Sequence, residues 1–137
     1  MRIVVFLALL SLLALVPIVE SIDDGSAAVV DAFLVNLKSA IASQDSSALR
    51  ELFSDKFKFH RCETFVEKAK VVDYLASVPK ESAYSLEMKN TEMSDDGTFV
   101  EFRLRFELPT MTSSANFLLE QRGDRFVLYS GQELSAC

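Results

Sequence analysis

Apolar and charged side chains alternate strictly over residues 100–108, in the second half of the chain. The apolar positions are Val100, Phe102, Leu104, Phe106 and Leu108, and the charged positions between them are Glu101, Arg103, Arg105 and Glu107. A period of two predicts a β-strand with one buried face. Because a slip of one residue would bury every charge of this stretch, its register is well specified.

Other strands are predicted on both sides of this one. Residues 83–94 alternate in the same way, and Asp95-Asp96-Gly97 is a strong hairpin signal between the two strands. Pro109 ends the alternating strand, and residues 116–121 and 125–131 are predicted as the last two strands. Earlier in the chain, residues 56–60 alternate between charged and aromatic side chains and predict a half-buried strand.

Three helices are predicted before the long strands. Residues 25–43 carry apolar side chains at helical spacing, and Gln44-Asp45-Ser46 ends this helix and caps a second, shorter one. Thr64-Phe65-Val66-Glu67 has the pattern of a capping box, which predicts that a third helix begins there, and Pro79 stops it by Val78. The order of elements predicts an α+β domain in which a cone-shaped, curved antiparallel sheet packs over three helices.

The N-terminus has the pattern of a secretory signal peptide. A short basic start is followed by an uncharged apolar run over residues 3–16, which is too short to span a bilayer as a helix. Small residues at Val19 and Ser21 predict cleavage after Ser21. We therefore expect a signal peptide over residues 1–21, a single domain over residues 22–137, and a secreted, extracellular protein.

Charge and cysteine content narrow the classes of partner. A net charge of -6 without a basic run argues against binding to nucleic acid or to anionic membranes. Cys62 and Cys137 both survive cleavage, and an even count in an oxidising compartment predicts one intramolecular disulfide. An intermolecular bridge through Cys137 is the alternative. Two cysteines and one histidine at scattered positions have no zinc-ligand spacing, so no metal is expected.

The chain resembles the nuclear transport factor 2-like proteins, whose fold also serves ketosteroid isomerase and SnoaL-type cyclases. It is most similar to small secreted members of the family from nematodes, which are mostly of unknown function. The resemblance covers the whole mature chain and rests on three segments, namely Phe57-Lys58-Phe59-His60-Arg61-Cys62, the helix from Lys68 that ends in Tyr74-Leu75-Ala76-Ser77-Val78-Pro79, and Ser130-Gly131 leading to Cys137. These motifs are structural, so the resemblance implies a fold rather than an activity.

Enzymes of this fold place an acid, a base or a metal ligand inside the cone. The alternating strand offers none, because all its charges lie on the outer face. His60 is the only histidine, but the alternation places it opposite Phe57 and Phe59 and towards solvent. The remaining enzyme hypothesis is a ketosteroid-isomerase-like proton transfer by His60 or Asp31, helped by Tyr84. The four glycines are predicted as isolated turn residues without a phosphate-binding loop, and no cofactor is expected.

The leading hypothesis is a non-enzymatic binding module, in which the inner face of the sheet lines a pocket for a small hydrophobic ligand. The predicted lining residues are Val100, Phe102, Leu104, Phe106, Leu108, Phe117, Leu119, Phe126 and Leu128. The alternative packing is that these side chains meet the helices and fill the cone.

A third hypothesis is a homodimer that forms through the outer face of the sheet. Its mixed-sign charges would need an apolar patch beside them, because exposed charge pairs contribute at most about 1 kcal/mol each. Phe99, Leu118, Val127 and Tyr129 could supply that patch. The sequence leaves monomer and homodimer open.

Overall fold

A computed structural model describes residues 24–134 of the chain, so the predicted signal peptide and Cys137 lie outside the described residues. The helices are α1 (Ser26–Ser43), α2 (Ser46–Glu51) and α3 (Lys68–Ala76). The strands are β1 (Phe53–Arg61), β2 (Thr64–Glu67), β3 (Ser85–Met93), β4 (Phe99–Leu108), β5 (Met111–Arg122) and β6 (Arg125–Glu133). This is the predicted α+β architecture, with three helices and a curved sheet.

The sheet has six strands in the order β2-β1-β6-β5-β4-β3. All neighbours are antiparallel except β1 and β6, which are parallel and pair Phe59 with Gly131 and His60 with Gln132. The predicted antiparallel pairing holds for four of the five strand pairs, and the β1–β6 pair makes the sheet mixed. The reason is topological: the chain leaves β1, crosses over through α3, and returns beside β1 only after the β3–β6 meander.

The core lies between the inner face of the sheet and the helices. Alternate residues of β4 and β5 are buried on this face, and Val100, Phe102 and Leu119 are at most 1% exposed. Helix α1 contributes a stripe that includes Phe33, Leu37 and Ile41, as its helical spacing predicts. It is long and apolar enough to cross a membrane by length and composition alone, a test that core helices also pass.

Residues 64–67 form a strand and not the first turn of a helix. Strand β2 pairs antiparallel with β1, so that Val66 lies opposite Phe59 and Phe65 opposite His60. Helix α3 begins after it, and the Glu67 side chain makes no capping hydrogen bond. The capping-box prediction failed because pairing with β1 satisfies the backbone of this segment in the extended conformation, and a local motif cannot register that long-range contact.

The last strands are longer than predicted, and Gly131 lies within β6 rather than in a turn. Its neighbours explain the glycine: an added Cβ would lie 2.6 Å from Cε1 of Phe117 and 2.7 Å from Cδ1 of Phe59. The two rings stack at a centroid distance of 5.9 Å. Gly131 therefore makes room for an aromatic pair on the inner face of the sheet.

Candidate ligand-binding cavity

A cavity of about 220 Å³ lies between the inner face of the sheet and helices α1 and α3. Nearly all of its wall is apolar. The lining residues on the helices and on β1 and β2 are Phe33, Leu34, Leu37, Ile41, Phe53, Phe57, Phe59, Arg61, Val66, Lys70, Val71, Tyr74 and Leu75, and those on the other strands are Leu86, Phe102, Leu104, Phe106, Leu108, Met111, Phe117 and Leu128. The cone is therefore hollow in this structure.

Aromatic rings form the sheet side of the cavity. Phe117 lies at the centre of this group and is stacked on Phe102 at a centroid distance of 5.6 Å and on Phe59 at 5.9 Å. Phe106 contacts both Phe59 and Phe117 at 6.4 and 6.5 Å. Phe59, Phe106 and Phe117 each pack against at least two other rings, and Phe102 packs against Phe117. This packing restrains their rotamers, so the wall is preorganised to accept an apolar molecule.

The mouth of the cavity lies at the end of the sheet where β4 and β5 are joined. Most of the lining residues are buried, but Val66 and Val71 on one side and Leu108 and Met111 on the other are partly exposed. Tyr74 on α3 spans this opening, because its hydroxyl lies 2.9 Å from Oγ1 of Thr110 in the β4–β5 turn. The hydroxyl also accepts a longer hydrogen bond from the Thr110 N–H.

Two cationic side chains, Arg61 and Lys70, also line the cavity at this end. Arg61 donates from Nε to Oε1 of Glu133 at 3.0 Å, and Ser113 donates to Oε2 of the same carboxylate at 2.7 Å. The Glu133 side chain is only 7% exposed. The hydrogen bond from Ser113, followed by that from Arg61, lowers the pKa of Glu133 below its ordinary value. This carboxylate is thus ionised, and each of its two oxygens accepts a hydrogen bond.

The predicted pocket residues divide into two groups. Phe102, Leu104, Phe106, Leu108, Phe117 and Leu128 line the cavity. Val100 and Leu119 are 0% exposed and belong to the packed core outside the cavity. Phe126 packs against the core but does not contact the cavity. Only part of the inner face therefore surrounds open space.

The three weak catalytic candidates lie apart from the cavity. His60 is exposed on the outer side of β1, beside the ring of Phe65. Asp31 is exposed on α1. Tyr84 is half-buried at the edge of the core, and burial raises the pKa of its hydroxyl. None of the three lines the cavity, and the structure does not bring them together.

Sequence reasoning missed Arg61, Lys70, Ser113 and Glu133. The sequence pattern predicts that β6 ends at Gly131 and that β5 begins at Asn116, so Glu133 and Ser113 fall outside the predicted strands. The useful signal was the period of two: Ser113 continues the inner face of Ala115 and Phe117, and Glu133 continues that of Gly131. In the described part of the chain, no group of His, Cys, Asp and Glu side chains is arranged to hold a metal ion.

The outer face of the sheet carries the expected charges but a smaller apolar patch than predicted. All four charged side chains of β4 are exposed, and Arg105 pairs with Glu107 on its own strand at 3.2 Å. Phe99 and Tyr129 are half-buried and meet edge to face at 6.0 Å. Val127, however, is only 4% exposed and lies in a groove beside the longer side chains of Arg122 and Arg125, so it cannot belong to an exposed patch.

Comparisons with known proteins agree with this architecture. The sequence pattern of the family described as NTF2-like domain matches residues 27–136. No curated protein is significantly similar to the chain in sequence.

Solved structures share the fold at low identity. An NTF-2 like protein of unknown function from Silicibacter pomeroyi has a TM-score of 0.64 at 12% identity, with 78% of this chain and 92% of that chain covered. One from Shewanella oneidensis has a TM-score of 0.59 at 17% identity, with 78% and 97% covered. A de novo designed protein with a curved β-sheet has a TM-score of 0.54 at 12% identity, with 76% and 97% covered. At such identities the similarity shows the fold alone. On the match over residues 27–136, the chain belongs to the NTF2-like domain family.

Proposed function

We propose that this protein is a secreted, non-enzymatic binding module that holds a small apolar ligand in the cavity of its cone. The observation that carries the proposal is the cavity itself, about 220 Å³ of space with apolar walls inside a domain of ordinary size. Protein interiors are usually packed as densely as organic crystals, with few voids larger than a water molecule. A void of this size therefore needs an explanation.

The energetic cost of an empty cavity supports this proposal. Unfilled core volume destabilises a protein by about 24 cal/mol per Å³, so a cavity of about 220 Å³ corresponds to at most about 5 kcal/mol, since water can reach the part nearest the mouth. That is comparable to the whole stability of many domains, which is about 5–15 kcal/mol. Apolar walls give water too few hydrogen-bond partners to fill the space well. A ligand with an apolar body would replace the missing contacts.

The volume also limits the size of the ligand. A cavity of about 150 Å³ holds one benzene molecule, so about 220 Å³ has room for about nine carbon atoms. A short aliphatic chain or a single substituted ring fits this limit, whereas a steroid is too large.

The titratable groups around the cavity favour binding over catalysis. Arg61, Lys70 and Tyr74 are the titratable residues that line it, and within residues 24–134 no carboxylate or imidazole does so. The predicted proton transfer would require His60 or Asp31 within hydrogen-bond reach of the substrate. His60 and Asp31 are exposed outside the cavity and do not meet this requirement.

The proposed secretion rests on the apolar run over residues 3–16.

We also propose a disulfide between Cys62 and Cys137. The pairing of His60 with Gln132 in parallel strands supports it, because extending that register puts Cys62 level with Leu134, three residues before Cys137. Three extended residues reach about 10 Å. Intact mass without reductant tests this point: free thiols or a covalent dimer would contradict it.

The binding proposal is tested with purified protein before and after organic extraction. Native mass spectrometry is expected to detect a monomer with a bound small molecule that extraction removes. The extracted protein is then titrated with 1-nonanol, which is expected to bind and to raise the melting temperature. Leu104→Phe partly fills the cavity and should weaken this binding, whereas Leu119→Phe, the same change outside the cavity, should not. If the extracted protein binds no neutral ligand of six to ten carbons, the proposal is wrong.

A homodimer through the outer face is the second candidate, favoured by the half-buried Phe99–Tyr129 pair. Native mass spectrometry distinguishes this dimer from the liganded monomer by mass. An unliganded protein at dimer mass that becomes monomeric on Tyr129→Asp would support the dimer.

A further inference from the structure

The charged residues that line the cavity are both cations, although the protein as a whole has a net charge of -6. The remaining lining residues are apolar apart from Tyr74. Since acidic residues outnumber basic ones in the chain, the selection of two cations at one opening is not a reflection of composition. An opening of this kind favours a ligand that carries a negative charge at one end.

Lys70 is a cation near the N-terminus of a helix, where negatively charged side chains are preferred. It lies in the first turn of α3, where the helix dipole favours carboxylates, and this turn contains no acidic residue. Lys68 in the same turn is accounted for, because it contacts Asp55 and the Phe53 carbonyl oxygen at 3.0 Å each. Lys70 is exposed and forms no ion pair with any residue among 24–134. Its ammonium group is thus available to a ligand at the mouth.

Arg61 retains hydrogen-bonding capacity on the other side of the mouth. The guanidinium group has five N–H donors, and its contact with Glu133 uses Nε. Its other donors make no hydrogen bond within the described residues. Glu133 itself is held by Ser113 and Arg61 and does not line the cavity, so it is not directed at a ligand there.

We propose that the ligand is an aliphatic monocarboxylate of about eight to ten carbons, with its chain among the phenylalanine rings and its carboxylate at the mouth near Lys70 and Arg61. This inference rests on the proposed binding function. A carboxylate at the opening remains partly hydrated, and the tail is removed from water. An amine of the same length would instead face the unpaired ammonium of Lys70 and the guanidinium of Arg61, whose charge Glu133 partly offsets.

The test uses three ligands that share a chain and differ in the head group: nonanoate, 1-nonanol and nonylamine, each titrated calorimetrically into the extracted protein. Nonanoate is expected to bind about fivefold tighter than 1-nonanol, as for an exposed ion pair, and nonylamine more weakly than either. Lys70→Glu should weaken nonanoate binding by about tenfold more than it weakens 1-nonanol binding. Lys80→Glu is the matched control, because Lys80 is exposed, lies outside the cavity and gives the same change in net charge.

The outcomes separate the two proposals. If 1-nonanol binds as tightly as nonanoate, or if Lys70→Glu behaves like Lys80→Glu, the monocarboxylate assignment is wrong and the apolar binding function stands. If none of the three ligands binds, both proposals fail. Since 1-nonanol binding by the Lys70→Glu protein reports an intact cavity, a loss of nonanoate binding alone cannot be attributed to misfolding.

Discussion

Filling the cavity from within should stabilise the ligand-free protein, which is the opposite of what a bulkier residue does in a packed core. Leu104 lies on the inner face of β4 and lines the cavity. Leu119 lies on the same face of the neighbouring strand, is 0% exposed and does not line it. Leu→Phe at the two positions is the same chemical change in two environments. Leu104→Phe places the larger ring beside the cavity, and Leu119→Phe places it among packed side chains.

The expected magnitudes have opposite signs. Phenylalanine has three more side-chain carbons than leucine, and a buried methylene contributes about 0.8 kcal/mol, so Leu104→Phe should gain up to about 2 kcal/mol. Leu119→Phe must displace packed neighbours and should lose about 1–3 kcal/mol. For a domain of this size, 1 kcal/mol corresponds to about 4 °C in melting temperature. The two variants should therefore melt several degrees apart, on either side of the unsubstituted protein.

The measurement is urea unfolding followed by circular dichroism, on protein that has been extracted with organic solvent and refolded. Extraction is essential, because a retained ligand would already fill the space that the new ring of the Leu104→Phe variant is meant to occupy. If Leu104→Phe destabilises the extracted protein as much as Leu119→Phe does, the cavity is closed in solution. The energetic cost assigned to the void would then be refuted.

Three further predictions concern the backbone, pH and the mouth. Gly131→Ala should lose about 1–3 kcal/mol in urea unfolding, because its methyl group would overlap two phenylalanine rings. Hydrogen bonds from Ser26, and then from the Met93 backbone N–H, hold the pKa of Asp24 at about 2. Its folded pKa is thus below the ordinary value of 3.8, so its contribution to stability is present above pH 4 and is lost as the pH falls towards 2. Asp24→Asn should therefore lower the unfolding midpoint at pH 6 and converge with the unsubstituted protein near pH 2, and a constant difference would contradict this. Glu133→Gln removes the charge that Arg61 contacts and should strengthen nonanoate binding about twofold to fivefold in calorimetry; unchanged affinity would mean that Arg61 does not meet the ligand.

Most of the fold could be predicted from local patterns. The alternation in β4 is confirmed as a strand with one buried face, and the apolar spacing of residues 25–43 is confirmed as helix α1. Asp45 caps α2 as predicted, since its side chain accepts from the N–H groups of Ser47 and Ala48. In each case the information lies within a few residues of the element itself.

The failures arise where long-range pairing decides the local structure. Residues 64–67 have the local pattern of a helix start, yet they extend the sheet because β1 offers an edge beside them. Strand β5 begins earlier and strand β6 ends later than the pattern predicts. The polar residues Ser113 and Glu133 interrupt the apolar alternation and so hide these ends. In the structure, the Ser113 hydroxyl donates a hydrogen bond to the Glu133 carboxylate on the neighbouring strand, and Arg61 on β1 donates a second one.

The hollow of the cone could not be predicted at all, because a pattern specifies which side chains face inward but not the distance between the layers. Val100 and Leu104 occupy equivalent positions in the alternation, yet one lies in packed core and the other beside open space. The difference depends on where the helices cross the sheet. Volume is thus a tertiary property, and the chemistry of a site that depends on volume cannot be inferred from periodicity.

Two local departures from what stability alone would favour meet at this site. The void removes packing contacts from the core, and Lys70 faces the unfavourable end of the α3 dipole, a placement that costs about 0.3–1 kcal/mol at the surface. Departures from local rules concentrate at functional sites, where a gain in binding offsets the loss in stability. A single ligand with an apolar chain and an anionic end would remove both costs together. The coincidence of the two features at one opening is therefore a stronger argument for a binding site than either feature by itself.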